Sequence, residues 1–135
     1  MKTIKHNFEH RVRYADTDKM GVVYNGNYFT FFEIGRTEMM RSLGTPYTQY
    51  EAAGYYLPLV ESHAEYIIPA FYDDILRIET ELRTELSAKV RWDYSIYRGE
   101  ELLARGYTVH CFMDVKTMKA TRPPKFYIDF IKAHI

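Results

Sequence analysis

The sequence predicts an α+β domain in which one long helix lies on an antiparallel sheet. Several segments alternate apolar and polar residues with a period of two, as strands with one buried face do. One segment instead repeats apolar residues at three- and four-residue steps, which is the pattern of an amphipathic helix. The chain has 135 residues, of which 47% are hydrophobic, so we expect a single domain, residues 1–135, with one core.

The first strand is expected within residues 4–14. Its apolar face carries Phe8, Val12 and Tyr14, and charged residues alternate with them. His10 shares the apolar face, and we interpret it as a partly buried structural histidine.

A polar turn follows this strand and leads into the long helix. Asp16 and Asp18 favour a turn because their short side chains hydrogen-bond nearby backbone groups, and Gly21 permits a positive φ. Asn25 is a candidate N-cap, so the helix should begin between residues 23 and 28.

Apolar residues recur on one side of this helix up to Gly44, which is typical of a helix C-terminus, and Pro46 lies just beyond. They are Tyr28, Phe31, Phe32, Gly35, Met39 and Leu43. Glu33 and Arg36 fall mostly on the other side, and we expect them to brace the helix rather than to contact a ligand.

The junction between the turn and the helix is the candidate functional site. A helix N-terminus presents unpaired N–H groups and partial positive charge, which suit a carbonyl oxygen that is becoming an anion. A carboxylate just upstream could face the same place, and these are two of the groups that acyl transfer needs. An alternative stays open, because an Asp-x-Asp before a helix also serves as a turn and cap. A metal site is not expected, since Asp16 and Asp18 have neither calcium-loop spacing nor a nearby His or Cys cluster.

Four further strands are expected, in residues 57–68, 75–84, 90–98 and 102–115, and a short helix in residues 126–135. Glu61 and His63 either line a pocket or belong to a solvated sheet face. The last strand should bury one apolar face, with Cys111 as an inert core thiol. That face carries Leu103, Tyr107, Val109, Cys111, Met113 and Val115.

The stretch from Tyr14 to Arg36 resembles the signature of the hotdog-fold acyl-CoA thioesterases of the 4-hydroxybenzoyl-CoA thioesterase type, including the bacterial branch associated with the Tol-Pal system. The matching residues are Tyr14, Asp16, Asp18, Gly21, Val22, Val23, Tyr24, Tyr28, Phe32, Glu33 and Arg36. Residues 69–74, P-A-F-Y-D-D, also resemble the family's connection between two strands. The resemblance implies a hotdog fold, in which an antiparallel sheet of five or six strands wraps around one long central helix. It also implies a homodimer or homotetramer with active sites at the subunit interface.

The same resemblance implies that the protein hydrolyses an acyl-CoA thioester, with coenzyme A as part of the substrate and no separate cofactor. Asp18 would be the catalytic carboxylate, acting as general base or as nucleophile, and backbone amides near Tyr24 and Asn25 would polarise the carbonyl. Similar proteins hold the CoA phosphates and ribose at the positions of three further residues, although solvation of an outward sheet face explains them equally well. These are Ser87, Lys89 and Arg91.

Asn25 departs from the pattern of the Tol-Pal-associated branch, which commonly has His there. Asn can orient a substrate but cannot transfer a proton near neutral pH, so Asp18 is the titrating group at the junction. Two alternatives stay open: a thioesterase that acts on an acyl-carrier protein, and a non-catalytic hotdog module that binds acyl groups or partners. An acidic carrier protein would need a basic rim, which this neutral chain does not supply.

Charge and composition argue against other classes of function. The 18 basic and 18 acidic residues give zero net charge with no basic run, so we do not expect nucleic-acid binding. No stretch approaches the ~18 apolar residues of a membrane span, and the N-terminus lacks the apolar core of a signal peptide. The single cysteine excludes an internal disulfide and fits a reducing compartment, so we expect a cytoplasmic protein.

Overall fold

The computed structural model describes residues 2–135 and is built around one antiparallel sheet. The strands are β1 Thr3–Arg11, β2 Tyr55–Tyr56, β3 Leu59–Tyr66, β4 Ile75–Arg83, β5 Lys89–Arg98, β6 Glu101–Asp114 and β7 Ala120–Thr121. The helices are α1 Asn27–Ser42, α2 Tyr47–Ala52 and α3 Lys125–His134. The five long strands and the long helix match the sequence prediction, and two two-residue strands bring the sheet to seven.

The sheet has the order β1-β4-β5-β6, and β3 pairs with the opposite side of β6. The short strands β2 and β7 pair with the last residues of β6. β1 and β3 are therefore the edges of the long-stranded part, and β3 is exposed along most of its length. No helix within residues 2–135 is both long enough and apolar enough to cross a membrane.

Helix α1 packs closely against the inner face of the sheet because Gly35 faces β4. A Cβ on Gly35 would lie 2.5 Å from Thr80 Oγ1 and 2.6 Å from Ile78 Cγ2, so only glycine allows this approach. Phe32 on the same helix stacks on Tyr94 of β5, with ring centroids 4.5 Å apart. Helix and sheet thus form one aromatic core, as the alternation of β4 and β5 predicts.

The predicted buried face of β6 is wrong. A register shift between Ile96 and Tyr97 of β5 leaves Leu103 and Ala104 of β6 both buried, so the alternation changes phase. The residues that face inward beyond this point are Thr108, His110 and Phe112. Cys111 is consequently half-buried on the outer face and is not a core thiol.

Two residues of β3, which the sequence assigns either to a pocket or to a solvated sheet face, lie on the outer face of the sheet. Glu61 and His63 pair with Val109 and Tyr107 of β6, and both are exposed. The His63 ring stacks on the Tyr107 ring at 5.3 Å. They belong to the solvated face of the sheet.

Candidate active site

The turn before α1 holds one oxygen of Asp18. Asp18 Oδ1 accepts hydrogen bonds from the N–H groups of Met20 at 2.8 Å and Val22 at 3.2 Å. The backbone N–H of Asp18 donates to the Val22 carbonyl, and Gly21, with a φ of 77°, closes the turn. Asp18 Oδ2 has no hydrogen-bond partner among residues 2–135 and the side chain is partly exposed, so this oxygen is available to a substrate.

Asp16, the other acid of the pair, has both carboxylate oxygens occupied. They accept hydrogen bonds from the Arg13 backbone N–H at 2.9 Å, the Arg13 guanidinium at 3.1 Å and the His10 ring at 3.2 Å. Burial works to raise the pKa of Asp16, but the hydrogen bonds from Arg13 and His10 outweigh it and hold the pKa below its ordinary value. Asp16 and His10 are therefore structural, and the geometry leaves Asp18 as the candidate catalytic acid.

The backbone amides at the start of α1 divide into occupied and free donors. The N–H of Tyr24 donates to the Asp16 carbonyl at 3.2 Å, so it is not available to polarise a substrate as the sequence prediction required. The N–H groups of Asn25 and Gly26 donate to no acceptor among residues 2–135. Sequence reasoning missed Gly26, because only the path of the chain shows which amides the turn consumes.

Asn27 ties the turn to the helix. Its side-chain Nδ2 donates to the same Asp16 carbonyl at 2.7 Å, and Thr17 forms a bridge with Val23. The Asp18 segment therefore runs antiparallel to the segment that enters α1. This hairpin places Asp18 and the residues with free amides on two neighbouring segments.

Three cavities lie between α1 and either β3 or the segments that flank it, and we call them together the α1–β3 groove; the second and third share Glu33 and Arg36. The first, about 210 Å³, lies at the helix N-terminus and is lined by Val22, Val23, Asn25, Tyr28, Tyr66, Ile67, Ile68 and Pro69. The second, about 310 Å³, is lined by Phe29, Thr30, Glu33, Arg36, Leu59, Ser62 and Thr108. The third, about 420 Å³, is lined by Glu33, Arg36, Thr37, Met40, Tyr47, Leu57, Trp92 and His110. The first cavity, which Asn25 lines, is lined mainly by apolar side chains, whereas the other two include the charged Glu33 and Arg36.

A chain of hydrogen bonds with a fixed direction crosses the deep end of the groove. The Leu57 carbonyl only accepts, so His110 Nδ1, 3.1 Å away, carries the proton. Burial and then the positive charge of Arg36 lower the pKa of His110 to about 4, so its other nitrogen accepts from Thr108 Oγ1 at 3.1 Å. Thr108 in turn accepts from Tyr94 Oη at 2.6 Å, which accepts from Arg36 Nη1 at 3.2 Å. Arg36 thus braces α1 on the sheet, as the sequence predicts.

Trp92 is the exception in this network. Its indole Nε1–H is buried and has no acceptor among residues 2–135. The ring packs edge-on against His110, with centroids 5.0 Å apart, and lines the third cavity. The indole nitrogen itself is closed off from solvent, and an unpaired buried donor of this kind costs free energy.

The predicted CoA-binding residues lie at the other end of the sheet from Asp18. Asp18 follows the end of β1 that pairs with Ile75, whereas the 83–91 connection lies beyond the opposite end of β4, whose nine residues span roughly 30 Å. There Ser87, Lys89 and Arg91 line a shallow cavity of about 150 Å³.

These three side chains differ in whether their polar groups already have partners within the chain. The Ser87 hydroxyl binds the backbone of Lys89, and Arg91 is paired with Asp93 while its guanidinium lies 3.9 Å from the Tyr107 ring centroid. The ammonium group of Lys89 has no ion-pair partner within residues 2–135. Lys89 is therefore the cation that a phosphate can approach. The same part of the chain contains no group of three or more His, Cys, Asp or Glu residues that could hold a metal ion.

Comparison with known proteins gives relatives along nearly the whole chain. The thioesterase-like superfamily matches residues 12–133. Acyl-CoA thioesterase YbgC of Haemophilus influenzae is 33% identical over 119 residues, which are 87% of this chain and 88% of the relative. The crystal structure of a DHNA-CoA thioesterase from Staphylococcus aureus has a TM-score of 0.88 and 30% identity, covering 96% of this chain and 88% of that one. A 4-hydroxybenzoyl-CoA thioesterase variant in complex with 4-hydroxybenzoyl-CoA has a TM-score of 0.81, covering 94% of this chain and 98% of that one, and at 22% identity it is similar in fold alone.

Proposed function

The chain belongs to the thioesterase-like superfamily, and on that premise we propose that it hydrolyses acyl-CoA thioesters to the free acid and coenzyme A at the turn before α1. The relatives confirm the resemblance to hotdog-fold thioesterases and the predicted α+β hotdog architecture. They also confirm the prediction of an enzyme that acts on thioesters, since named acyl-CoA thioester hydrolases match most of the chain.

The observation that carries this proposal is a half-free carboxylate on the segment that runs beside two free amides. Asp18 keeps Oδ2 available, and the N–H groups of Asn25 and Gly26 are unpaired at the helix N-terminus. The first cavity is lined by Asn25, one of the two amide donors, and by Val22, whose N–H holds Asp18 Oδ1. Amides fixed at a helix end stabilise negative charge that develops on a carbonyl oxygen, which supports acyl transfer there.

Two routes use the same groups. As general base, Asp18 Oδ2 takes a proton from water, the water oxygen bonds to the carbonyl carbon, and the C–S bond breaks. The departing thiolate then takes up the proton. As nucleophile, Oδ2 attacks the carbon itself and the C–S bond breaks, so that CoA thiolate leaves and a mixed anhydride forms. Water afterwards hydrolyses the anhydride, which releases the free acid and restores the Asp18 carboxylate, and the proton set free goes to the thiolate. In both routes the amides of Asn25 and Gly26 hold the oxyanion.

We assign the CoA phosphates to Lys89 of a second copy of the chain. Within one chain Lys89 and Asp18 lie at opposite ends of the sheet, so one substrate molecule reaches both only across an interface. The exposed edge strand β3 supports such pairing. We therefore propose a homodimer or homotetramer. A cytoplasmic location is also proposed, and the free Cys111 supports it.

Release of CoA thiol from a panel of short-, medium- and long-chain and aromatic acyl-CoAs tests the proposal. Asp18→Asn keeps an oxygen for the amides of Met20 and Val22, so the turn should stay folded. We expect turnover to fall about 10²- to 10⁴-fold in this variant, with the melting temperature and oligomeric state unchanged. Asp129→Asn, an exposed change on α3, is the matched control and should keep full activity.

The other outcomes separate the alternatives. Turnover that survives Asp18→Asn would mean that another carboxylate acts. Absence of turnover in wild-type protein would favour a carrier-protein substrate or a non-catalytic acyl-binding module, which acyl-carrier substrates and binding measurements then distinguish. A single turnover in isotope-labelled water separates the two routes, because label in the Asp18 carboxylate requires the nucleophilic one.

A further inference from the structure

One of the two free amides at the start of α1 shares its peptide group with a carbonyl that a side chain holds. The Gly26 N–H donates to no acceptor within residues 2–135. The carbonyl of the same peptide group belongs to Asn25, and it accepts hydrogen bonds from the Tyr28 N–H and the Tyr66 hydroxyl, both at 3.2 Å. Tyr66 is therefore separated from the proposed oxyanion donor by a single planar group.

These hydrogen bonds fix the direction in which the Gly26 N–H points. The peptide bond between Asn25 and Gly26 is trans, so its C=O and N–H point in opposite directions. The carbonyl points along α1 towards the Tyr28 N–H, so the Gly26 N–H points out of the N-terminal end of the helix. A hydroxyl that binds the carbonyl resists rotation of this peptide group. It also polarises the group, which makes the N–H a stronger donor.

The other free amide lacks this support. The Asn25 N–H belongs to the peptide group of Tyr24, whose carbonyl accepts the Asn27 backbone N–H at 2.9 Å. No side chain within residues 2–135 donates to that carbonyl. Of the two proposed oxyanion donors, the Gly26 N–H is therefore the one that a side chain outside the turn controls.

The ring of Tyr66 is held in place at the end of β3. It packs edge-on against Tyr28, with ring centroids 5.3 Å apart, and Tyr28 is 3% exposed. The Tyr28 hydroxyl in turn accepts the Ala70 N–H at 3.3 Å. Both rings line the first cavity together with Asn25. Phenylalanine would keep this packing, so it is the hydrogen bond to the Asn25 carbonyl that requires a hydroxyl on Tyr66.

We propose that Tyr66 is a positioning residue of the thioesterase, whose hydroxyl orients and polarises the peptide group between Asn25 and Gly26 so that the Gly26 N–H stabilises the oxyanion. The role rests on the proposed function, to which it adds a residue of β3 that acts through the backbone. The oxyanion forms only after the substrate has bound. The contribution of Tyr66 should therefore appear in kcat and not in substrate binding.

Tyr66→Phe in the CoA-release assay tests this role. We expect kcat to fall about five- to tenfold at nearly unchanged KM, which is less than the ~10²-fold loss that follows removal of a whole oxyanion donor. Tyr97→Phe is the matched control. The centroid of the Tyr97 ring lies 4.4 Å from the Arg77 guanidinium carbon, and the Tyr97 hydroxyl has no hydrogen-bond partner within residues 2–135. This control should keep full activity.

Two further measurements separate positioning from a merely structural effect. An S-alkyl-CoA thioether has no carbonyl, so wild type and Tyr66→Phe should bind it with equal affinity, whereas a distorted first cavity would weaken its binding. In amide NMR spectra, Tyr66→Phe should move the Gly26 signal more than the Asn25 signal. The reason is that a hydrogen bond to a carbonyl changes the shielding of the N–H in the same peptide group.

Failure of this role and failure of the proposed function look different. A kcat of Tyr66→Phe within about twofold of wild type, with turnover intact, would overturn the role of Tyr66 and leave the thioesterase in place. Loss of activity with weaker thioether binding and an unmoved Gly26 signal would also overturn it, since the effect would then be structural. Absence of acyl-CoA turnover in wild-type protein would overturn the thioesterase and, with it, any role of Tyr66 in that reaction.

Discussion

Replacing Asp16 by Asn should destabilise the fold without removing the proposed catalytic group. The Asp16 side chain is 6% exposed and accepts three hydrogen bonds, two from Arg13 and one from His10. A hydrogen bond to a charged group is worth about 1.5–3 kcal/mol. Asn keeps the volume of the side chain and one of its oxygens, but it loses the negative charge and one acceptor. Because Arg13 is largely exposed, we expect the free energy of unfolding to fall by about 2 kcal/mol.

The melting temperature and its pH dependence measure this loss. For a domain of this size, about 2 kcal/mol lowers the melting temperature by roughly 8 °C. Because the folded-state pKa of Asp16 is lowered, its stabilisation is complete above the unfolded pKa of about 3.9 and disappears as pH falls through the folded value. The difference between wild type and variant should therefore be full above about pH 5 and shrink below about pH 4.

Circular dichroism melts of wild type, Asp16→Asn and the control Asp129→Asn at several pH values provide the data. A melting temperature of Asp16→Asn within about 2 °C of wild type at pH 7 would refute a structural role for the buried carboxylate. A difference that did not change with pH would refute the electrostatic origin of the effect. Asp18→Asn should behave in the opposite way, with activity lost and stability kept.

Three further predictions follow from close contacts, burial and free charge. Gly35→Ala places a methyl group within 2.6 Å of Thr80 and Ile78. Although alanine has the better helix propensity, this clash should lower the free energy of unfolding, measured by urea titration, by about 2 kcal/mol. An unchanged urea midpoint would contradict the close packing of α1 on the sheet. Because the pKa of His110 is lowered to about 4, its imidazole signals in NMR should stay constant from pH 8 to about 5. The unfolded chain takes up this proton near pH 6.5, so the free energy of unfolding should fall by at most about 3 kcal/mol as the pH drops from about 6.5 towards 4. A His110 titration midpoint near 6.5 would contradict the neutral, buried ring. Lys89→Ala should raise KM for acyl-CoA several-fold at unchanged kcat, with a smaller effect at high salt, and an unchanged KM would exclude Lys89 from phosphate binding.

The parts of the fold that depend on periodicity were predictable from the sequence. The three- and four-residue spacing predicts α1, and Gly44, with a φ of 85°, ends its last turn as expected. Alternation also predicts the buried faces of β4 and β5. In β6 the same reasoning failed, because the register shift opposite Tyr97 has no signature in the sequence and reverses the alternation beyond it.

The polar interior of β6 also resists prediction from local pattern. Thr108 and His110 read as outward-facing because they are polar, yet partners on α1, β5 and the segment before β3 satisfy them. At the turn, the choice of Asp18 over Asp16 came from the family resemblance, and it remains a prediction that the geometry favours. The sequence prediction of the available amides was wrong for Tyr24, because its N–H donates to the Asp16 carbonyl, eight residues upstream.

The one-way hydrogen-bond chain from Arg36 to Leu57 has a consequence for how this protein can diverge. The chain begins at a guanidinium, which only donates, and ends at a carbonyl, which only accepts, so the direction of every hydrogen bond between them is fixed. Replacing one middle group by an apolar one therefore leaves its neighbours without hydrogen-bond partners. Thr108→Val, for example, would leave the Tyr94 hydroxyl without an acceptor and His110 Nε2 without a donor. Replacing several members by apolar residues at the same time would leave no buried polar group unpaired. Among descendants of this sequence we therefore expect Arg36, Tyr94, Thr108 and His110 to be inherited or exchanged together, as a block of correlated substitutions next to the α1–β3 groove.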